Sequence, residues 1–192
     1  MSRPDLVASR IDEMTYAIAT GIDKFVLNKI TDVATGAYDT PTGGFTTAAN
    51  ISEIMSNLIS KVAGYSQAYP ELFLVIENTD LPGFLQAGVG QGFTFADAVL
   101  NNGRMGAYMG VDIYVIRTGT FVTATVGTLT AVNSGHRLFG VKGAATYLAP
   151  RGVQMEEKYV TQTTGKEIAC FGNVGAGIFT PKRALLVDIT IK

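Results

Sequence analysis

The hydrophobic pattern of this 192-residue chain changes period once, near residue 105, and that change limits the folds open to it. Ahead of it, apolar residues recur every three to four positions. Val7, Ile11, Met14, Ile18, Ile22, Phe25 and Val26 form one such stripe, and Arg10, Glu13, Asp23 and Lys24 fall largely off it. That is the spacing of a helix with one face for a core. Pro4 and Asp5 suit a first turn, where a missing N–H costs nothing and negative charge meets the helix dipole. The spacing predicts a long helix from about residue 4 to near residue 30. Its Gly21 costs about 1 kcal/mol relative to Ala. Residues 35–50, rich in Gly, Thr and Pro, read as a loop. Asn50 with Glu53 reads as a capping box. Ile51, Ile54, Met55, Leu58, Ile59 and Val62 then predict a second amphipathic helix, ending near Gly64.

The apolar run at 72–76 (LFLVI) reads as a buried strand. Asp80, Leu81 and Pro82 start a short helical turn around Phe84 and Leu85, and Thr94 with Asp97 predicts the cap of another short helix ending at 101–103. From Met105 onward, glycine and β-branched residues dominate. Val111, Ile113 and Val115 alternate with Asp112, Tyr114 and Ile116, and apolar residues alternate with threonines over 122–129. Helices first and strands afterwards predict an α+β architecture with mixed and antiparallel sheets rather than a doubly wound one.

Charge narrows the function. Fifteen Lys and Arg against sixteen Asp and Glu leave a net charge of −1, and charged residues make up 16% of the chain. Soluble domains average about 25%. Interface cores are depleted of charge, so the composition predicts a surface largely covered by other subunits. A Gly/Thr-rich β domain with an uncharged skin is the alternative reading. Arg104, Arg117, Arg137, Lys142, Arg151, Lys182 and Arg183 are spread along the chain, which offers no basic field for tight nucleic-acid binding. No apolar run reaches the ~20 residues of a membrane helix, and the opening MSRPDLVASR has no signal-peptide core. One cysteine, Cys170, leaves no disulfide framework within a subunit and fits a reducing cytoplasm.

Chemistry-bearing motifs are sparse. His136 is the only histidine and so the sole candidate base for a serine nucleophile; Asn133, Ser134 and Gly135 ahead of it read as a turn entering a strand. Cys170, between Ala169 and Phe171, reads as a small buried residue. Gly88, Gly90 and Gly92 lack the third glycine position of a dinucleotide fingerprint, because Phe93 stands there, and read as a loop tip. Glu156 and Glu157 are adjacent in a β-type stretch and face opposite sides. Metal-ligand spacing such as H-E-x-x-H is absent. The expectation is no catalytic residue, no metal and no cofactor.

The order of elements carries a resemblance. A long helix (IDEMTYAIATGIDKFVLNK) precedes a Gly/Thr/Pro loop, a capped helix (ISEIMSNLISKVAGY) and an apolar strand (LFLVIENTDLPGFLQ). Then come NNGRMGAYMGVDIYVI, with its G-x-x-x-G-x-D pattern, and GHRLFGVKGAATYLAP with the closing strands. Across nearly the whole chain this resembles the C-terminal two-thirds of tailed-bacteriophage major capsid proteins, whose fold encapsulin shells share. The resemblance implies that the long helix is the spine of a peripheral subdomain, drawn from residues 1–48 and 136–192. Residues 49–135 would form an axial subdomain near the capsomer centre. It also implies self-assembly into rings of five or six within an icosahedral shell around DNA. Partners would be other capsid or cement proteins and DNA held by weak, non-specific contact, with no membrane; the place would be the virion capsid, with assembly in the host cytoplasm. The resemblance leads to the expectation that the family's N-terminal arm and extended loop are lacking here. Expected subunit contacts are Phe45 in the loop 35–47, Gly90 and Phe93 in the loop 88–94, and Arg104. An encapsulin-like compartment and a small ligand-binding or enzymatic α+β domain, with a pocket around His136, are the alternatives.

Overall fold

The computed structural model describes residues 3–64, 71–88, 94–95, 104–126, 129–160 and 165–192. Helix α1 (Arg3–Val33) has 31 residues and so spans about 46 Å. It is followed by strand β1 (Gly36–Asp39), a 3₁₀ turn (Gly44–Thr46), helix α2 (Ala48–Ala63), strand β2 (Leu72–Glu77) and helix α3 (Leu81–Gly88). The second half is strands: β3 (Thr94–Phe95), β4 (Arg104–Tyr108), β5 (Val111–Ile116), β6 (Thr123–Val126), β7 (Leu129–Val132), β8 (His136–Val141), β9 (Ala145–Val160), β10 (Gly165–Ile178) and β11 (Leu186–Thr190). The α+β architecture with mixed and antiparallel sheets is thus present.

Seven strands form one mixed sheet in the order β1-β11-β8-β2-β5-β4-β3. The apolar run of β2 lies at its centre, parallel to β5 on one side and antiparallel to β8 on the other. A central strand covered on both faces has no use for polar alternation. Its side chains divide by parity: Leu72, Leu74 and Ile76 join Ile51, Ile54, Met55 and Leu58 of α2 and Phe84 of α3 in one core. Phe73 and Val75 point the other way, into a second core with Val26, Leu27 and Ile30 of α1. β5 divides likewise, with Val111 and Ile113 on the α2 side and Tyr114 and Ile116 on the α1 side. The molecule is therefore three layers deep, with α2 and α3 on one face of the sheet and the C-terminal half of α1 on the other.

Two short strands, β6 and β7, pair with each other. β9 and β10 form a long separate antiparallel ribbon, irregular around Asn173. The ribbon packs beside α1, and Ala145, Ala176 and Ile178 meet the second core. The seven-stranded sheet draws β1, β8 and β11 from one side of the expected boundaries at 48 and 136 and β2 to β5 from the other. In the stretch at 103–113, β4 turns into β5 through Met109 and Gly110, both at positive φ (51° and 79°). That is a tight hairpin whose second position favours glycine.

Several local expectations need correction. The loop 35–50 contains β1, a 3₁₀ turn and the start of α2. Asn50 does not cap α2: Thr47 occupies that place without a side-chain cap bond, and Asn50 Nδ2 donates instead to the Thr42 carbonyl at 3.1 Å. Closing the loop on itself wins over capping because the turn at 43–46 folds back against the helix start. Thr94 is not a helix cap either; it pairs with Ala107 in β3, and the remainder of that expected helix lies outside the described residues.

Candidate assembly surfaces

A joint ties α1 to the sheet. Asn28, fully buried on α1, donates from Nδ2 to the Thr120 carbonyl at 2.8 Å and accepts from the Val122 N–H at 3.2 Å. Asn133 Nδ2 donates to the Asn28 carbonyl and, at 2.8 Å, to Asp32 Oδ1. Next to it Arg137, one of the basic residues expected to lie dispersed, is buried between Asp80 (2.5 Å) and Glu77 (3.3 Å), with its guanidinium 6.0 Å from the Phe121 ring. Glu77 Oε1 also accepts from the Gly119 N–H at 2.9 Å. Each buried charge therefore has partners, as low-dielectric surroundings demand. The joint fixes the long helix against the sheet as a rigid strut. No sequence pattern announced it, because its members lie up to 105 residues apart; single polar residues within the apolar stripes (Asn28, Glu77) were the available signal.

His136 opens β8, and its Nδ1 donates to both carboxylate oxygens of Asp188 on β11, at 2.8 and 2.9 Å. The pair clips two neighbouring strands together. Burial holds the Asp188 carboxyl above the usual carboxylate range; the bond to His136 offsets this in part, and Asp32 and Asp39 add to it. Because the folded pKa is raised, the stability contributed by Asp188 is full below its ordinary value of 3.8 and is lost as the pH rises through the raised value. Asp188→Asn keeps an acceptor for His136 but does not titrate there. Its urea midpoint relative to the parent protein should therefore climb as the pH rises above about 4. A midpoint difference that stays constant with pH would refute this assignment.

Other chemistry-bearing residues are not brought together. Cys170 is half-buried in β10, opposite Met155, rather than in the core. Glu156 and Glu157 succeed each other on exposed β9. Among the described residues, no group of three or more His, Cys, Asp or Glu side chains is placed to hold a metal ion. No helix among them is long and apolar enough to cross a membrane.

Of the expected contact residues, Gly90 and Phe93 lie outside the described residues. Arg104 is the first residue of β4, opposite Tyr114 of β5. Phe45 is corrected: its ring is not on the surface but wholly buried in the core, stacked on Phe84 with centroids 5.5 Å apart. The loop brings it there because Gly83 of α3 lies directly against the Phe45 carbonyl. The exposed large apolar side chains lie elsewhere, and five of them, Tyr147, Leu148, Met155, Phe171 and Phe179, lie on the β9–β10 ribbon or directly after it. Strand alternation explains why they escaped notice: a ribbon of two strands has two faces, and only packing decides which one a helix covers.

A long helix jointed to a helix-covered mixed sheet, with a long ribbon alongside the helix, is a fold shared with solved bacteriophage capsid structures. No protein-family model and no curated protein matches this sequence. Among solved structures, the chain superposes on one from Mycobacterium phage Che8 with a TM-score of 0.66 at 15% identity, over 91% of this chain and 60% of that one. The mature capsid of bacteriophage PhiM1 matches with a TM-score of 0.65 at 14% identity, over 100% of this chain and 68% of that one. A virus-like particle from Pyrococcus furiosus matches with a TM-score of 0.50 at 10% identity, over 85% of this chain and 60% of that one. The chain thus spans 60% to 68% of the length of these structures.

Proposed function

We propose that this chain is a structural subunit that assembles with copies of itself into the icosahedral shell of a tailed phage or prophage, enclosing DNA. The observation that carries the reading is the superposition of nearly the whole chain, spine helix and sheet together, on the mature capsid of bacteriophage PhiM1. The low charged fraction of 16% supports it, because subunits that bury several faces leave little surface to solvate. In this reading residues 1–48 and 136–192 form the peripheral subdomain and residues 49–135 the axial one, with strands of both joined in the seven-stranded sheet. The work is geometric rather than catalytic: heterologous ring contacts close only when each copy presents the right rotation, and a jointed strut holds that angle. Partners are identical copies in rings of five or six, other capsid or cement proteins, and DNA held weakly. The place is the virion capsid after assembly in the host cytoplasm.

Light scattering on a sizing column followed by negative-stain microscopy tests the reading. Rings, tubes or shells are the expected result, and a monomer at all concentrations and salts would overturn it. Gly90, Phe93 and Arg104 remain the proposed ring contacts. Phe93→Asp should block ring formation with an unchanged far-UV circular dichroism spectrum; normal assembly of that variant would remove Phe93 from the contact. A second reading, an encapsulin-like compartment, draws on the match to the Pyrococcus furiosus virus-like particle. Cargo separates the two, since particles that retain a protein rather than nucleic acid would favour the compartment.

A further inference from the structure

At its end beside α1 the ribbon packs one face into the second core through three residues and leaves large apolar side chains exposed on the other. Directly opposed residues share a face, so Ile178 with Ala145 and Ala176 with Tyr147 lie on one side, and Gly177 with Thr146 and Gly175 with Leu148 on the other. Ala145, Ala176 and Ile178 pack into the second core beside α1. On the opposite face, Leu148 and Phe179 are 63% and 66% exposed. With Thr146, Gly175, Ala176, Gly177 and Ile178 they line an open groove of about 350 Å³.

Gly175 borders the irregular register around Asn173, where glycine eases a bulge, whereas Gly177 stands in regular pairing with Thr146 and has no such internal reason. A Cβ at Gly177 would meet nothing within 4 Å, and one at Gly175 would meet only the Leu148 carbonyl at 3.9 Å, an ordinary contact. Neither has the positive φ that demands glycine. Gly83 and Gly140 differ, since a Cβ at either would collide with backbone of this same chain. Glycine inside a strand weakens it unless something approaches closely. Nothing in the subunit approaches Gly177, which leaves its surface open to a neighbour.

Resting on the self-assembling reading above, we propose that this face docks against the same face of a second copy of this chain, with Phe179 of each copy seated over the Gly175–Gly177 floor of the other. The face is self-complementary, offering both an apolar knob and a shallow hole, which is what a twofold contact requires. None of the seven lining residues carries a charge, so two identical grooves meet without like-charge repulsion. The same lack of cations gives a nucleic-acid backbone nothing to bind. Area sets the role. β9 has 16 residues, so the ribbon is about 50 Å long and about 10 Å wide. Overlap of the entire face would bury about 1,000 Å² in total, below the ~1,600 Å² of a standard stable complex. The contact therefore acts as one of several in an assembly and does not hold a free dimer.

Gly177→Val tests this. Valine suits a strand, so the monomer should keep its circular dichroism spectrum and its denaturation midpoint should stay level or rise. The protein concentration needed for assembly should increase at least about tenfold, and trimming the knob with Phe179→Ala in the same chain should recover much of that loss. Phe179→benzoylphenylalanine should photo-crosslink to residues 175–177 of another copy. A folded Gly177→Val that assembles at the parent concentration, or assembled particles with no such crosslink, would overturn the proposal. If the parent chain forms no particles yet the crosslink appears at high concentration, the shell reading falls and the docking face stands.

Discussion

Arg137→Met should lower the free energy of unfolding by about 3–5 kcal/mol, because it strips the guanidinium from a buried cluster of two carboxylates. Glu77 and Asp80 are 7% and 2% exposed, and both are held by the Arg137 guanidinium. Without it each carboxylate must either take a proton or sit uncompensated in low dielectric, and either course costs free energy at neutral pH. The loss should show as a lower urea midpoint with an unchanged slope, since the folded and unfolded surfaces barely change. The triple change Glu77→Gln, Asp80→Asn, Arg137→Met removes the charges together and should recover part of the loss. A single variant within about 0.5 kcal/mol of the parent would mean that the cluster is wet and its charges are not coupled to folding. The consequence reaches function through the joint beside it: Glu77 Oε1 holds the Gly119 N–H, and the neighbouring Thr120 carbonyl holds Asn28 of α1. A loosened cluster should free the angle of the spine helix and lower the yield of regular particles more than the yield of folded protein.

Gly83→Ala should be severely damaging for a single added methyl group, costing about 3 kcal/mol or more. A Cβ there would lie 1.9 Å from the Phe45 carbonyl oxygen, and backbone cannot rotate out of the way as a side chain can. α3 must move off the turn that carries Phe45, which opens the Phe45–Phe84 stack and the Phe84–Tyr108 edge contact behind it. Gly21→Ala is the matched control. It sits in α1 with nothing within 4 Å of its Cβ, and the exchange should stabilise the protein by about 0.5–1 kcal/mol through helix propensity and unfolded-state entropy. Denaturant midpoints that move the two variants in the same direction would disprove the packing argument.

The contrast between these glycines marks where sequence stops carrying information. Both stand in helical segments of similar pattern, and only the chain passing close to one of them separates their effects. Phe45 makes the same point. In a Gly/Thr/Pro loop its ring read as an exposed contact, but α3 crosses close enough to cover it, and an aromatic ring gains far more from burial than from exposure.

Periodicity determined what is local here. The 3.6-residue stripes of α1 and α2, the five-residue apolar run of β2 and the alternation of β5 are each dictated by one segment's need to hide its own apolar face. Their order along the chain was enough to give the α+β class and the likeness to phage capsid proteins. What only the tertiary structure decided are the relations between segments: Asn28 with Thr120, Arg137 with Asp80, His136 with Asp188, and the single mixed sheet that crosses the expected subdomain boundaries. Those pairings are set by which surfaces come within hydrogen-bonding distance once the layers stack, and spacing along the sequence does not encode that distance. The bare face of the ribbon belongs to the same group, since strand alternation supplies two faces and the position of α1 selects the one left open.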